Sequence, residues 1–86
     1  MYKVQLSLEA EKAYCRANTA LAKKLAKCLA RLEESPRFHP NVKALKGDYS
    51  GYYRYRVGDY RVVYSVDDRA RIVNIIVIAH RSRVYE

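Results

Sequence analysis

Three arginines placed around a tight turn are the first residues in this chain whose types and spacing could do chemistry. Tyr52-Tyr53-Arg54-Tyr55-Arg56-Val57 and Tyr60-Arg61-Val62-Val63-Tyr64-Ser65-Val66 flank Gly58-Asp59, and such a pair between alternating segments signals a two-residue hairpin. The register follows: Val57 faces Tyr60, Arg56 faces Arg61, Tyr55 faces Val62 and Tyr53 faces Tyr64. One face is then aromatic and branched and should pack on helices, while the other carries Tyr52, Arg54, Arg56, Arg61 and Val63. Like charges directly opposed on a sheet destabilise it, so Arg56 across from Arg61 costs stability unless an anion sits between them. Guanidinium forks suit phosphate oxygens, and neighbouring tyrosines can stack on bases. A solvated outer face with ordinary surface arginines explains the same pattern, and the pattern alone leaves both readings open.

The final heptad adds His80, Arg81, Arg83 and Tyr85 just after an apolar strand that anchors their backbone, a place where functional groups often sit. A frayed, charged C-terminus is the alternative. His80 enters as an acid or base because imidazole ordinarily titrates near neutrality. Strand alternation argues against it, since residues 80 and 81 would point to opposite faces. RNA carries its own nucleophile, the 2′-hydroxyl, so a cationic cluster that positions the sugar-phosphate and stabilises developing charge could cleave it without a metal. No glycine-rich phosphate loop, paired-histidine metal motif or cysteine nucleophile with a nearby base is present in the sequence. No cofactor or metal is expected. Asp67 and Asp68 are read as turn residues.

The elements that must hold these groups begin with a strand over 2–6, where apolar and polar residues alternate. Ser7 caps a helix running to about Ala17, with Glu9 and Glu11 where the helix dipole favours them. Asn18-Thr19 offers a break and a new cap before the stripe of Leu21, Leu25, Cys28, Leu29 and Leu32, which faces inward and gives a helical hairpin or one bent helix. Lys23, Lys24, Lys27 and Arg31 lie off the stripe on a basic face, read as solvated, with contact to a nucleic-acid backbone as the alternative. Pro36 and Pro40 make 35–41 a loop, with His39 as a surface loop residue. A strand over 71–79 is apolar at nearly every position, which predicts a central strand covered on both faces. The fold class is α+β: a small antiparallel-rich sheet with an N-terminal strand followed by a helical hairpin packed on one face.

Length and composition are consistent with one domain over 1–86. Half the residues are hydrophobic, with three Gly and two Pro in 86, the balance of a folded chain rather than a disordered one. The net charge of +8 attracts polyanions, so nucleic acid is the first partner class to consider; solubility or an acidic protein partner is the other account. Cys15 and Cys28 make no disulfide framework and are read as small packing residues. The N-terminus lacks a long apolar core and no run approaches a membrane span, so the expectation is a cytoplasmic protein with no membrane partner.

The order strand, helical hairpin, loop, Leu45-Lys46-Gly47, Tyr60-Arg61-Val62-Val63-Tyr64 and His80-Arg81-Ser82-Arg83-Val84-Tyr85-Glu86 resembles the RelE branch of the RelE/ParE toxins, over essentially the whole chain. The resemblance implies the toxin of a type II toxin-antitoxin system, a metal-independent endoribonuclease that cuts mRNA in the ribosomal A site and is silenced by a cognate antitoxin. It implies catalytic roles for Arg61, Arg81, Tyr85 and Arg56, and RNA-binding roles for Arg54, Lys46, Arg83 and His80. Where the RelE type has lysines on the strand before the hairpin turn, this chain has Arg54 and Arg56, which leaves the general base open because guanidinium is a poor one. The resemblance also admits a ParE-like inhibitor of DNA gyrase, or a toxin-like binding module without activity.

Overall fold

The computed structural model describes residues 1–85. In chain order it contains β1 (Lys3–Leu6), α1 (Leu8–Arg16), α2 (Thr19–Glu34), β2 (Val42–Ala44), a 3-10 turn (Gly47–Tyr49), β3 (Tyr53–Val57), β4 (Tyr60–Asp67) and β5 (Ile72–His80). The five strands form one sheet in the order β1-β5-β4-β3-β2. All neighbours are antiparallel except β1 and β5, which run parallel.

Both helices start at the expected caps. The Ser7 hydroxyl accepts from the Ala10 amide at 3.0 Å and donates to the Ile76 carbonyl at 2.7 Å, so one side chain caps α1 and ties it to β5. Asn18 accepts from the Leu21 amide at 2.8 Å, satisfying an otherwise orphaned donor at the start of α2. Ala10, Leu25, Cys28 and Leu32 then meet Tyr55, Val57, Val62, Tyr64, Val73, Ile75 and Ile78 in one core on the helix side of the sheet. Burial pushes the Cys28 thiol up to about 12, so it stays neutral and packs as a small apolar group. The Tyr64 hydroxyl is also buried and donates to the Pro36 carbonyl at 2.6 Å.

The hairpin register is as the turn dictates: Tyr53–Tyr64, Tyr55–Val62, Arg56–Arg61 and Val57–Tyr60 are partners, and Gly58 takes the positive φ of 57° that the turn requires. Two expectations fail here. β5 is an inner strand, but it is not covered on both faces: Ile76 is 37% exposed. Its apolar run from Ile75 to Ala79 spans a bulge. Val63 pairs with Val77 and Tyr64 with Ile75, so Ile76 is an extra residue and the side-chain alternation shifts by one there. Val73 and Ile75 face the helices before the bulge and Ile78 faces them after it.

His39 is the second correction, because it is not a bare loop residue. Its ring stacks on Tyr55 at 5.1 Å between centroids and is half-buried. The loop itself is held by Arg37, which donates to Asp68 at 2.8 and 3.0 Å and to the Tyr53 hydroxyl at 3.0 Å. Tyr2 adds a bond to Asp68 at 2.6 Å. Asp67 ends β4 and accepts from the Ala70 amide at 3.1 Å, bracing the turn that follows, while Asp68, in that turn, ties Tyr2 near the N-terminus to Arg37 of the loop. The Arg37 guanidinium, with the Tyr2 hydroxyl, holds the Asp68 carboxyl below the ordinary carboxylate range.

Candidate functional site

The face of the sheet away from the helices carries the charged groups. Alternation places Arg54 and Arg56 of β3 and Arg61 of β4 on it, joined by Lys43 of β2, which is the register partner of Arg54. The bulge brings the end of β5 into the arrangement. Arg61 pairs with Ala79 and Tyr60 with His80, so Ala79 shares the arginine face while His80 lies on the face of Tyr60 and Val62.

After β5 the chain turns back across this outer face. The Arg81 amide donates to the Asp59 carbonyl at 2.7 Å and the Arg83 amide to the His80 carbonyl at 2.8 Å. At the far end Tyr85 reaches the β2 side, with its ring 5.2 Å from that of Tyr49 and its carbonyl accepting from the Tyr49 hydroxyl at 3.3 Å. It shares a cleft of about 270 Å³ with Lys43, Lys46 and Arg54. Val63 and Val84 are 3% and 4% exposed, yet neither belongs to the helix-side core. The return of the tail over the outer face accounts for the burial of both.

Arg61 is the fixed point of the cluster. Its guanidinium donates to the Gly58 and Tyr60 carbonyls at 2.8 and 2.9 Å, which holds the head group in place before any ligand arrives. Loss of solvent lowers its pKa first, and the like charges of Arg54, Arg56 and Arg81 lower it further, with Tyr85 acting in the opposite sense. These are the neighbours that feel one another's charge, and the repulsion among them is what an anion would relieve. Arg54 is steadied by the Asn41 carbonyl at 3.2 Å. Among the described residues Asp59 is the acidic group that pairs with the cluster, 3.9 Å from Arg81 in an exposed pair, too loose and solvated to neutralise it.

Of the residues singled out from sequence, the structure brings together Arg54, Arg56, Arg61, Arg81 and Tyr85, with Lys46 at the Tyr85 end. Arg83 is exposed on the returning tail. His80 does not join them: it packs edge-on against Tyr60 at 5.6 Å and its Nδ1 pairs with the Ser82 hydroxyl at 2.9 Å, on the other face. Lys43 and Tyr49 were missed. Both lie in the stretch between the loop and the hairpin, where Val42-Lys43-Ala44 is too short to show a period. Among the described residues no group of three or more His, Cys, Asp or Glu side chains comes together to hold a metal, and no helix is long and apolar enough to cross a membrane.

Residues 3–85 match the family described as ParE toxin of type II toxin-antitoxin system, parDE. The chain belongs to that family. Within the wider RelE/ParE superfamily it is 51% identical over 47 residues to Toxin RelE of Mycobacterium tuberculosis, a match that spans 55% of this chain and about half of that protein, 48%. Its fold superimposes on the archaeal RelE in complex with RelB from Pyrococcus horikoshii OT3, with a TM-score of 0.82 and 30% identity over 95% of this chain and 97% of the other. The isolated RelE toxin of E. coli gives 0.80 and 29% identity over 99% and 92%. The five-stranded sheet with its helical hairpin on one face is thus the RelE-like fold.

Proposed function

We propose that this chain is the toxin of a type II toxin-antitoxin system and stops translation by cutting mRNA in the ribosomal A site without a metal. The observation that carries the reading is the acid-poor cluster of Arg54, Arg56, Arg61 and Arg81 on one open face, with the Arg61 guanidinium already fixed by two backbone carbonyls. A preorganised cation aimed at developing charge is a large catalytic contribution because it needs no reorganisation during the reaction. In this mechanism the 2′-oxygen, its proton passing to water, attacks the adjacent phosphorus as the bond to the 5′-oxygen breaks and that oxygen takes a proton from water, leaving a 2′,3′-cyclic phosphate and a 5′-hydroxyl. Arg61 and Arg56 stabilise the charge on the phosphorane, Arg81 assists the departing oxygen, and Tyr85, packed on Tyr49 beside Arg54, stacks against the nucleotide. Guanidinium stays protonated at neutral pH, so the arginines supply charge stabilisation and not proton abstraction. Arg54, Arg83 and Lys46 bind flanking phosphates.

A cognate antitoxin is the expected protein partner, supported by the similarity to a RelE solved together with RelB. Its acidic side chains would meet the same arginines and so compete with RNA. Inhibition of DNA gyrase is the second reading, favoured by the match to the ParE family.

The deciding experiment is a translation reaction on a defined mRNA with wild-type protein or Arg61→Ala, mapping new 5′ ends with and without ribosomes. Cuts that require both ribosomes and Arg61 are expected. Cleavage of free RNA would remove the ribosome from the mechanism, and equal cutting by Arg61→Ala would remove Arg61. Folded wild-type protein that cuts nothing but blocks supercoiling by purified gyrase would replace the nuclease with the second reading.

A further inference from the structure

A second basic site lies around the edge of β3 from the arginine cluster. Past the end of β2 the β3 edge is bordered by Asn41, whose side-chain amide donates to the Arg56 carbonyl at 2.8 Å and whose own carbonyl accepts from the Arg56 amide at 3.0 Å. Between this edge and α2 runs a groove of about 290 Å³ lined by Lys24, Lys27, Arg31, His39, Asn41 and Arg56, over a floor of Tyr55 and Cys28. Among the described residues no carboxylate lines it. Lys24, Lys27 and Arg31 recur at helical spacing on the exposed face of α2, so their charges converge on one strip.

The hydrogen bonding of His39 points to a ligand. The Asn41 amide donates to its Nδ1 at 3.1 Å, while the Arg31 guanidinium stands 2.8 Å from its Nε2. A neutral imidazole has one acceptor nitrogen and one donor. With Nδ1 accepting, Nε2 carries the proton and faces another donor; with Nε2 accepting, the conflict moves to Nδ1. An anionic oxygen that drew the Arg31 guanidinium off Nε2 would accept from both groups and leave Nδ1 to the backbone. The ring is already oriented for this by its stacking on Tyr55.

We infer that this groove is a phosphodiester-binding subsite, which carries the RNA backbone away from the arginine cluster, around the β3 edge and onto α2. The inference rests on the nuclease reading for its choice of RNA. Continuity supports it, because Arg56 and Gly58 line the groove, while Arg56 is also the register partner of Arg61 and the Gly58 carbonyl holds the Arg61 guanidinium.

The test uses the whole protein and a short single-stranded 2′-O-methyl RNA, which binds but cannot be cut by 2′-hydroxyl attack. Affinity is measured against salt for wild type, for Lys27→Ala/Arg31→Gln, and for Lys12→Ala/Arg16→Gln, which removes the same charge from exposed positions of α1. The groove variant should lower the slope of log affinity against log salt by about 0.7 to 1.4, at roughly 0.7 for each single-strand phosphate no longer neutralised by a side chain. The α1 variant should leave the slope unchanged. His39 ring proton resonances should move on titration with the RNA in wild type and stay still in Arg31→Gln. Equal slopes for the two variants would overturn the subsite while leaving the nuclease intact. Movement of His39 with poly-glutamate but not with RNA would overturn it in favour of an acidic protein. Wild-type protein that does not bind the RNA at low salt would overturn it as well, whereas bound but uncut mRNA in the translation reaction would sink only the nuclease.

Discussion

The returning tail can be loosened by a single truncation, Val84→Ala. Val84 is 4% exposed, and the change removes two buried methyl groups at about 0.8 kcal/mol each, or roughly 1.6 kcal/mol. A tail can settle into the space left behind, so no cavity cost is added to this transfer term. Since about 1.4 kcal/mol is a factor of ten, the open tail should become roughly tenfold more populated. Amide hydrogen exchange at Arg81 and Arg83, whose N–H groups bond to Asp59 and His80, reads that opening directly. Both should exchange about ten times faster in the variant, while remaining less protected than Val62 and Tyr64 in the core. Urea unfolding should register the same loss, because the docked tail belongs to the native state. The reasoning fails if tail exchange is unchanged. It fails equally if, in the wild type, the tail amides are as protected as those of β4, since the tail would then open only with the whole molecule. In the nuclease reading the variant should also cut more slowly, because Tyr85 leaves its place beside Tyr49.

Three further outcomes are expected. Ser7→Ala removes both the α1 cap and the bond to the Ile76 carbonyl and should cost about 1–2 kcal/mol in urea unfolding; a loss near zero would mean that water replaces both bonds. The Asp68 carboxyl is depressed in the folded protein by Arg37 and Tyr2, so its contribution is fully present above the unfolded value of about 3.9 and is lost as pH falls through the lower folded value. The difference in Tm between wild type and Asp68→Asn should therefore be constant near neutrality and shrink in acid, and a gap that widened in acid would contradict the sign. Iodoacetamide at mildly alkaline pH should alkylate exposed Cys15 in native protein and reach Cys28 only after unfolding, because Cys28 is buried with its thiol pushed up to about 12; mass spectrometry of the two states checks it.

Much of the fold was legible because local chemistry and global packing agree. Gly58-Asp59 fixes the hairpin register, and with it the shared face of Arg54, Arg56 and Arg61; Ser7 and Asn18 mark where the helices start. What stayed hidden depends on partners distant in sequence. β2 is three residues long, so Lys43 is recognisable as a neighbour of Arg54 only once β3 is beside it. The bulge at Ile76 has no sequence signal of its own, yet it decides that Ala79, and not His80, shares a face with Arg61. Alternation correctly separated residues 80 and 81 without saying which side each would take. Asp68 read as a turn residue because Arg37 and Tyr2, its partners, lie 31 and 66 residues away. His39 read as exposed because the ring beneath it, Tyr55, belongs to another element.

The parallel pairing of β1 with β5 also sets when this protein comes into being. Residues 3–6 have their strand partner in residues 72–75, so β1 stays outside the sheet until β5 has been made. Bringing such distant segments together carries a loop-closure cost that local contacts cannot offset early. A ribosome that has synthesised α1, α2 and the hairpin holds a chain whose sheet lacks an inner strand, and whose tail, with Arg81 and Tyr85, does not yet exist. The hairpin arginines are thus joined by Arg81 and Tyr85 only after β5 has been made. In the nuclease reading, the cluster can act only once β5 has paired and its tail has folded back beside the hairpin arginines.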